Sequence, residues 1–358
     1  MEKIKLGDLC TPSQGQLKEK PDTVIDYIDI SSVDNETKKV TGYQTMTFSE
    51  SPSRARKAVK RGSILVSTVR PNLNAVAILE NDTPNLSVAS TGFCILDCKE
   101  DTDERFVFNY CKSKVFIDDM VSQATGASYP AVSDKIVRSA LIPAYSYEKQ
   151  RHIGIILDKV SDVIEKRRAE LQALDKLIKA RFVELFYDKG YPVLKWNDVF
   201  NTTTGKLDSN AAVEDGEYPF FTCSKETFRI DKFAFDQEAL LLAGNNAAGK
   251  YDVKYYKGKF NAYQRTYVLG LKEDWSYQLF RYQLEDKLVY LQQQSLGGLT
   301  KYLTMKILGE LDFIIPPMER QIEFEEFAKQ VDKSKVIVQK ALDETQTLFD
   351  SLMQEYFG

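Results

Sequence analysis

The feature that most constrains the fold is a 40-residue stretch, 148 to 187, in which apolar side chains recur at alternating steps of four and three. The positions are Ile153, Leu157, Val160, Ile164, Arg167, Leu171, Leu174, Ile178, Arg181 and Leu185, eight of the ten apolar. A 3.5-residue repeat is the pattern of a helix packed along a partner helix. Adding 171 to each position gives Phe324, Ala328, Val331, Lys335, Val338, Leu342, Thr345, Phe349, Leu352 and Tyr356, again eight apolar of ten and without a gap. Because both seams lie in one chain, the two helices are expected to pair with each other, antiparallel. A helix of this length spans roughly 60 Å, more than a small domain needs for its own core, so it acts as a spacer. Arg167 and Arg181 interrupt the first seam; they are expected to face the second helix, where 319–357 holds nine acids against five bases.

The remainder of the chain also occurs twice. The segment 4–15, IKLGDLCTPSQG, aligns at an offset of 190 with 194–205, LKWNDVFNTTTG, pairing Leu6 with Trp196, Asp8 with Asp198 and Gly15 with Gly205. GSILVST (62–68) answers EALLLAG (238–244), and SDKIVRSALIP (133–143) answers TMKILGELDFIIP (304–316), each ending at a proline before a long helix. In the first copy IKLGDLC, VIDYIDI, GSILVST, AVAIL and GFCIL read as short strands between Pro, Gly and Asn clusters. The spacing of Phe106, Tyr110, Phe116 and Met120 predicts one helix over 104–121. The expected fold is therefore α+β, a tandem internal repeat. Two β-rich globular domains, 1–147 and 191–318, are separated by two long helices, 148–190 and 319–358, that pair as an antiparallel coiled coil.

Catalytic patterns are missing from the sequence. It holds no GxxxxGK[ST] loop, no GxGxxG, no HExxH, no GxSxG and no Asn-Pro-Pro-Tyr type motif. The single histidine, His152, falls on the first turn of the long helix, and five cysteines without a CxxC pair suggest neither a disulfide framework nor a metal site. The expectation is a chain with no catalytic residue, no metal and no cofactor of its own. With no run of about 18 apolar residues and no signal-peptide core at MEKIKLGDLC, it reads as cytoplasmic and not membrane-bound.

A net charge of −4 hides local patches of the other sign. Between Glu50 and Glu80 there is no acid, while Arg54, Arg56, Lys57, Lys60, Arg61 and Arg70 fall there with Asn72 and Asn74. The corresponding stretch 239–272 holds Lys250, Lys254, Lys257, Lys259, Arg265 and Lys272 against one acid, Asp252. Cations neutralise phosphates, and Arg, Asn and Gln read base edges, so both stretches fit a nucleic acid. Two loops, QATGASYP (123–130) and QQQSLGGLTKYL (292–303), combine amides, hydroxyls, an aromatic and glycine. Candidate DNA-binding residues are Arg54, Arg56, Lys57, Lys60, Arg70, Asn72, Asn74, Gln123, Thr125, Ser128 and Tyr129 in the first copy. In the second they are Lys225, Asn245, Asn246, Lys250, Tyr263, Gln264, Arg265, Gln294, Thr300, Lys301 and Tyr302.

Taken together, these pieces resemble the specificity (S) subunit of type I restriction-modification enzymes over essentially the whole chain. The matching residues are Gly62-Ser63-Ile64-Leu65 after a basic run, Gly297-Gly298-Leu299-Thr300-Lys301, and the two approaches to the long helices. The latter run from Ile142-Pro143 to Glu148-Lys149-Gln150 and from Ile315-Pro316-Pro317-Met318 to Glu319-Arg320-Gln321. Ala144-Tyr145-Ser146-Tyr147 departs from the tight proline turn usual in that family. The resemblance implies two target recognition domains, each reading half of a split double-stranded DNA site, with the helices setting the gap. It also implies docking of two methyltransferase subunits, which use S-adenosylmethionine, and association with restriction subunits, which use ATP and magnesium. The alternative is a coiled-coil scaffold without DNA specificity; an enzyme fused to its own reader leaves no spare domain in 358 residues.

Overall fold

A computed structural model describes residues 2–13, 15–18, 21–247 and 249–358. Gln14 of the repeated segment 4–15 and Ala248 of the basic stretch 239–272 therefore lie outside the described residues. The chain divides into two compact units: unit 1 holds the chain up to Glu170 with Val338–Gly358, and unit 2 is Leu171–Ile337.

In unit 1, β1 (Lys3–Lys5) is short and gives way to a 3-10 turn, Leu6–Leu9, where the sequence suggests strand throughout. That turn drives Leu6 fully into the core. The further strands are β2 (Val24–Ile28), β3 (Gln44–Thr47), β4 (Ala55–Ala58), β5 (Ile64–Ser67), β6 (Val76–Ile78), β7 (Leu86–Ser90), β8 (Phe93–Leu96) and β9 (Leu141–Pro143). They form a four-stranded sheet ordered β3-β2-β7-β4, a three-stranded sheet β6-β5-β8, and the pair β1-β9. β5 is buried at every position, with Ile64, Leu65 and Val66 an apolar run, because both of its faces are covered.

The helix expected over 104–121 is two helices, α1 (Glu104–Lys112) and α2 (Lys114–Gln123). Ser113 divides them: its backbone is extended, and its hydroxyl accepts from the Phe116 amide at 3.2 Å, capping α2. The apolar spacing runs through the break, which is why periodicity alone missed it. α3 (Asp134–Ser139) follows, capped in the same manner by Ser133.

Unit 2 carries β10 (Val193–Lys195), β11 (Phe200–Thr204), β12 (Tyr218–Phe221), β13 (Thr227–Ile230), β14 (Phe235–Ala243), β15 (Asn245–Asn246), β16 (Val253–Ala262), β17 (Thr266–Leu271), β18 (Lys301–Tyr302) and β19 (Asp312–Ile314). A six-stranded sheet has the order β11-β17-β14-β16-β12-β13, with β10-β19 and β15-β18 as separate pairs. Its strands β16-β14-β17 answer β6-β5-β8 of unit 1, and β10-β19 answers β1-β9. Trp196, at the position equivalent to Leu6, is likewise fully buried, packed at a tilt against Phe200 and Phe313.

Two helices of 40 residues occur, Tyr147–Phe186 and Met318–Phe357. Their starts differ by 318 − 147 = 171 and their ends by 357 − 186 = 171, the offset of the seams. The first ends where Asp188 and Gly190 adopt left-handed backbone, φ 53° and 72°. Within unit 1, Ile153 and Leu157 pack with Phe106, Met353, Tyr356 and Phe357. Within unit 2, Ile178 and Leu185 pack with Phe324, Ala328 and Val331. There Asp175 pairs with Lys335 and Arg181 with Glu323, so the first helix advances as the second retreats and the pairing is antiparallel. Arg181 also lies 5.7 Å over the Phe327 ring. Arg167 and Arg181 each bury their Nε without a hydrogen-bond partner. Val160, Leu171 and Leu174, like Phe349 and Leu352, are only half-buried.

One buried glutamine ties each unit to its long helix. Gln150 accepts from the Asp103 amide at 3.1 Å and donates to the Tyr145 carbonyl at 2.9 Å. Gln321, 171 positions on, accepts from the Ser276 amide at 2.9 Å and donates to the Pro316 carbonyl at 2.8 Å. Asp103 and Ser276 are both helix N-caps, so the two clamps do the same work. At Gly154 an added Cβ would lie 2.8 Å from Asp103 Oδ1, so glycine is needed for α1 to approach this closely.

Candidate nucleic-acid interface

In unit 1 the end of α2 runs into a tight hairpin. Thr125 and Ala131 exchange backbone hydrogen bonds at 3.0 and 2.9 Å. Gly126 is in left-handed backbone at φ +100°, where a Cβ would meet the Tyr129 carbonyl at 2.9 Å, so a side chain there is excluded twice over. The loop after β5 packs beside this hairpin: the Val132 amide donates to the Thr68 carbonyl at 2.9 Å and the Arg70 amide to the Pro130 carbonyl at 2.7 Å. Arg70 and Asn74 both adopt left-handed backbone, φ 49° and 46°, on either side of the turn Pro71–Leu73. The Arg70 guanidinium lies 4.8 Å over the ring of Tyr129, itself 69% exposed. That contact holds the cation and the aromatic as one projecting pair.

Unit 2 builds the same object from different residues. Leu296 and Tyr302 exchange backbone hydrogen bonds at 3.1 and 2.9 Å, and Gly297 has φ +101°. The Leu303 amide donates to the Gly244 carbonyl at 2.9 Å, and Asn245 and Asn246 pair with Tyr302 and Lys301. The hairpin positions 125, 126, 131 and 132 of unit 1 thus recur at 296, 297, 302 and 303, again an offset of 171. Gln123 and Gln294, which end the preceding helices, obey it too.

Of the expected site residues, the structure gathers Arg70, Asn72, Gln123, Thr125, Ser128 and Tyr129 at the unit 1 hairpin and its neighbouring loop. In unit 2 it gathers Asn245, Asn246, Lys250, Gln294, Thr300, Lys301 and Tyr302, with Arg265 alongside through its carbonyl to the Gly244 amide. Tyr263 and Gln264 adjoin Arg265, their amides donating to Phe221 and Leu207. Lys225 sits on a turn pinned by Lys254, whose ammonium donates to the Ser224 and Glu226 carbonyls. Burial draws the Lys254 ammonium below its ordinary pKa, fitting a structural cation more than a free one.

Other residues of the basic stretches stand apart. Lys57 is mostly buried and bonded to Asp134 and the Phe93 carbonyl, both at 2.6 Å. Arg54 pairs with Asp29 at 2.6 Å and donates to Tyr27 at 3.0 Å. Arg56 lies over the Phe48 ring, and Lys60 is on the turn before β5, the opposite end of that strand from Arg70. Asn74 is buried, its amide donating to the Cys111 carbonyl at 2.9 Å. Among the described residues, Lys257 pairs with Glu238 and Lys272 donates to the Asn197 carbonyl.

The candidate residues leave out Leu299, which is 95% exposed at the tip of the unit 2 hairpin, and the glycines Gly126 and Gly297, which shape both tips. Carrying the helix offset of 171 upstream into the loops would have aligned the glycines. Among the described residues, no group of His, Cys, Asp and Glu side chains is placed to hold a metal ion.

Comparison with known proteins bears on this geometry. The family model for the type I restriction modification DNA specificity domain matches residues 1–174 and again 189–345. The specificity subunit of the type I restriction enzyme EcoDI from Escherichia coli is 36% identical over 134 residues, 37% of this chain and 29% of that protein. The HindI specificity subunit from Haemophilus influenzae is 27% identical over 140 residues, 38% of this chain and 30% of that protein. The matches thus span about three tenths of the length of those curated relatives. Among solved structures, an S subunit from M. genitalium aligns over 100% of this chain and 96% of its own with TM-score 0.65 and 14% identity. A chain from work on complex assembly and conformational transition of the type I R-M system aligns over 99% and 97% with TM-score 0.59 and 21% identity. At these identities the solved structures bear on the fold alone.

Proposed function

Since the chain belongs to the type I restriction-modification DNA specificity domain family, we propose that it is the DNA-reading subunit of such a complex, each unit reading one half of a split site. The observation that carries this reading is the repeated tip: a glycine-turned hairpin beside a polar loop, in the same place in both units but lined by different side chains. Arg70, Asn72, Thr125, Ser128 and Tyr129 form the first reading surface, and Asn245, Asn246, Lys250, Arg265, Thr300, Lys301 and Tyr302 the second. Phosphate contacts position a protein on DNA and base contacts specify it, so unlike tips on like frames give unlike half-sites. The long helices set the unread gap between them.

In this scheme the chain contributes the address and no chemistry. Two methyltransferase subunits, carrying S-adenosylmethionine, dock on it and turn out an adenine for methylation. Restriction subunits, using ATP and magnesium, complete the assembly, and the complex works in the cytoplasm. Among the described residues no helix is long and apolar enough to cross a membrane. Nothing in the comparisons favours a bare coiled-coil scaffold.

Gel-shift titration of the chain with methyltransferase subunits over a series of salt concentrations tests the reading. Binding should be sequence-selective and fall steeply with salt, and Arg70→Ala should lower the salt slope by about 1 if the guanidinium meets a phosphate. Relaxed discrimination at one base pair with an unchanged slope would assign Arg70 to a base instead. No DNA binding by the assembled complex would refute the proposal.

A further inference from the structure

Two of the five cysteines face each other. Cys10 and Cys98 form an antiparallel bridge flanked by hydrogen bonds from the Thr11 amide to Asp97 and from the Lys99 amide to Leu9, at 2.8 and 3.0 Å. That pattern makes them a non-hydrogen-bonded pair, in which Cα atoms approach to roughly 4.5 Å and side chains lie closest. The separation falls within the range of about 4.4–6.8 Å that a disulfide spans. Both thiols are free.

The surroundings distinguish this pair from the other buried thiols. Arg138 bridges the two segments, donating to the Thr11 carbonyl at 2.9 Å and the Ile95 carbonyl at 3.0 Å. The hydrogen bond from Cys98, opposed by burial and aided by Arg138, holds the Cys10 thiol below its usual pKa. Burial pushes Cys94 up to about 12 and Cys111 well above its ordinary value, and the hydrogen bond to Cys10 together with burial pushes Cys98 up as well, so of these four thiols Cys10 alone is drawn toward thiolate. Cys98 is partly exposed and Cys10 only 2% exposed, so the solvent-facing side of the pair is that of Cys98. The repeat shows that the fold does not require thiols here. The equivalent ladder position in unit 2 pairs Phe200 with Leu271.

We propose that Cys10 and Cys98 are a reversible redox site that closes to a disulfide when the chain meets a peroxide. The Cys10 thiolate attacks one oxygen of hydrogen peroxide; the O–O bond breaks, leaving a sulfenic acid on Cys10 and hydroxide, which takes up the proton lost by the thiol to give water. The sulfur of Cys98 then attacks the sulfenic sulfur, the S–O bond breaks, and a second water leaves with the Cys98 proton. Two thiols and one peroxide yield one disulfide and two waters. The bond would staple the first turn of the chain to the end of β8, closing a loop between residues 88 positions apart. The proposal is independent of how DNA is read.

The test treats the reduced full chain with one equivalent of hydrogen peroxide, followed by peptide mapping without reductant and a thermal melt. Expected are a Cys10–Cys98 linked peptide, reversal by dithiothreitol, and a rise in the melting temperature of unit 1 on the order of 10 °C, lost again on reduction. Cys98→Ser, at the more exposed position and so tolerated by the fold, should give no link and no shift, and should leave Cys10 trapped by dimedone. Linkage through Cys223, over-oxidised but unlinked Cys10 in the wild type, or the same melting shift in Cys98→Ser would each overturn the proposal.

Discussion

Replacing Gln150 by Met keeps the length of the side chain and removes both of its hydrogen bonds. Gln150 is 3% exposed, so the Asp103 amide and the Tyr145 carbonyl lose their partner where water does not reach them easily. Each orphaned group costs about 1–3 kcal/mol, partly offset by the apolar burial of methionine, so a net loss of roughly 2–4 kcal/mol is expected. Gln321→Met leaves the Ser276 amide and the Pro316 carbonyl in the same condition, and Gln321 is 1% exposed. The two losses should be alike and, because the clamps lie in different units and share no partner, additive. A chain of two units does not melt as one, so the assay is native-state amide exchange. Protection at Asp103 should fall by roughly 30- to 1,000-fold in Gln150→Met and at Ser276 by a similar factor in Gln321→Met. A loss below about 1 kcal/mol at either site, or an effect in one unit only, would refute the view that the repeated glutamine secures each unit to its helix.

Two other outcomes follow from the structure. Lys112 lies over Phe108 and Phe349, and burial draws its ammonium down to about 8. The folded state therefore binds its proton more weakly than the unfolded state, and this contribution makes the chain more stable as pH rises from about 8 toward 10. Lys112→Met should stabilise unit 1 at pH 7 by about 1–2 kcal/mol in urea titrations and flatten that rise; destabilisation would mean that the ring contacts outweigh desolvation. Deleting four residues within 155–180 should alter the unread gap in the DNA site with both half-site sequences kept, as read from the methylated motif. Changed base preference would break the spacer model.

The long helices were legible because a seam of ten positions at fixed steps leaves little else to do but pair; the helices run over Tyr147–Phe186 and Met318–Phe357. Ser113 was not, since a serine between two apolar turns carries no periodic signal and acts only through its extended backbone and its bond to Phe116. Charge counting groups Arg70 and Lys250, which the fold sets beside the two hairpins, with Lys57 and Lys257, whose charges are met by Asp134 of α3 and Glu238 of β14, partners that only the folded chain brings together. The offset between copies falls from 190 at the first strand to 171 at the hairpins, so the first copy carries 190 − 171 = 19 extra residues between those points. They accompany its different sheet arrangement, which the weak repeat in sequence does not disclose.

The central claim is that each hairpin reads its own half of the DNA site. Replacing residues 126–130 by the side chains of 297–301 transplants one tip onto the other frame and leaves both turn glycines in place. Sequencing the methylated adenines laid down by the complex assembled with this variant should show one half-site altered or lost, with the other half-site and the gap unchanged. If both halves changed, or neither did, the hairpins would not be the independent readers proposed for them.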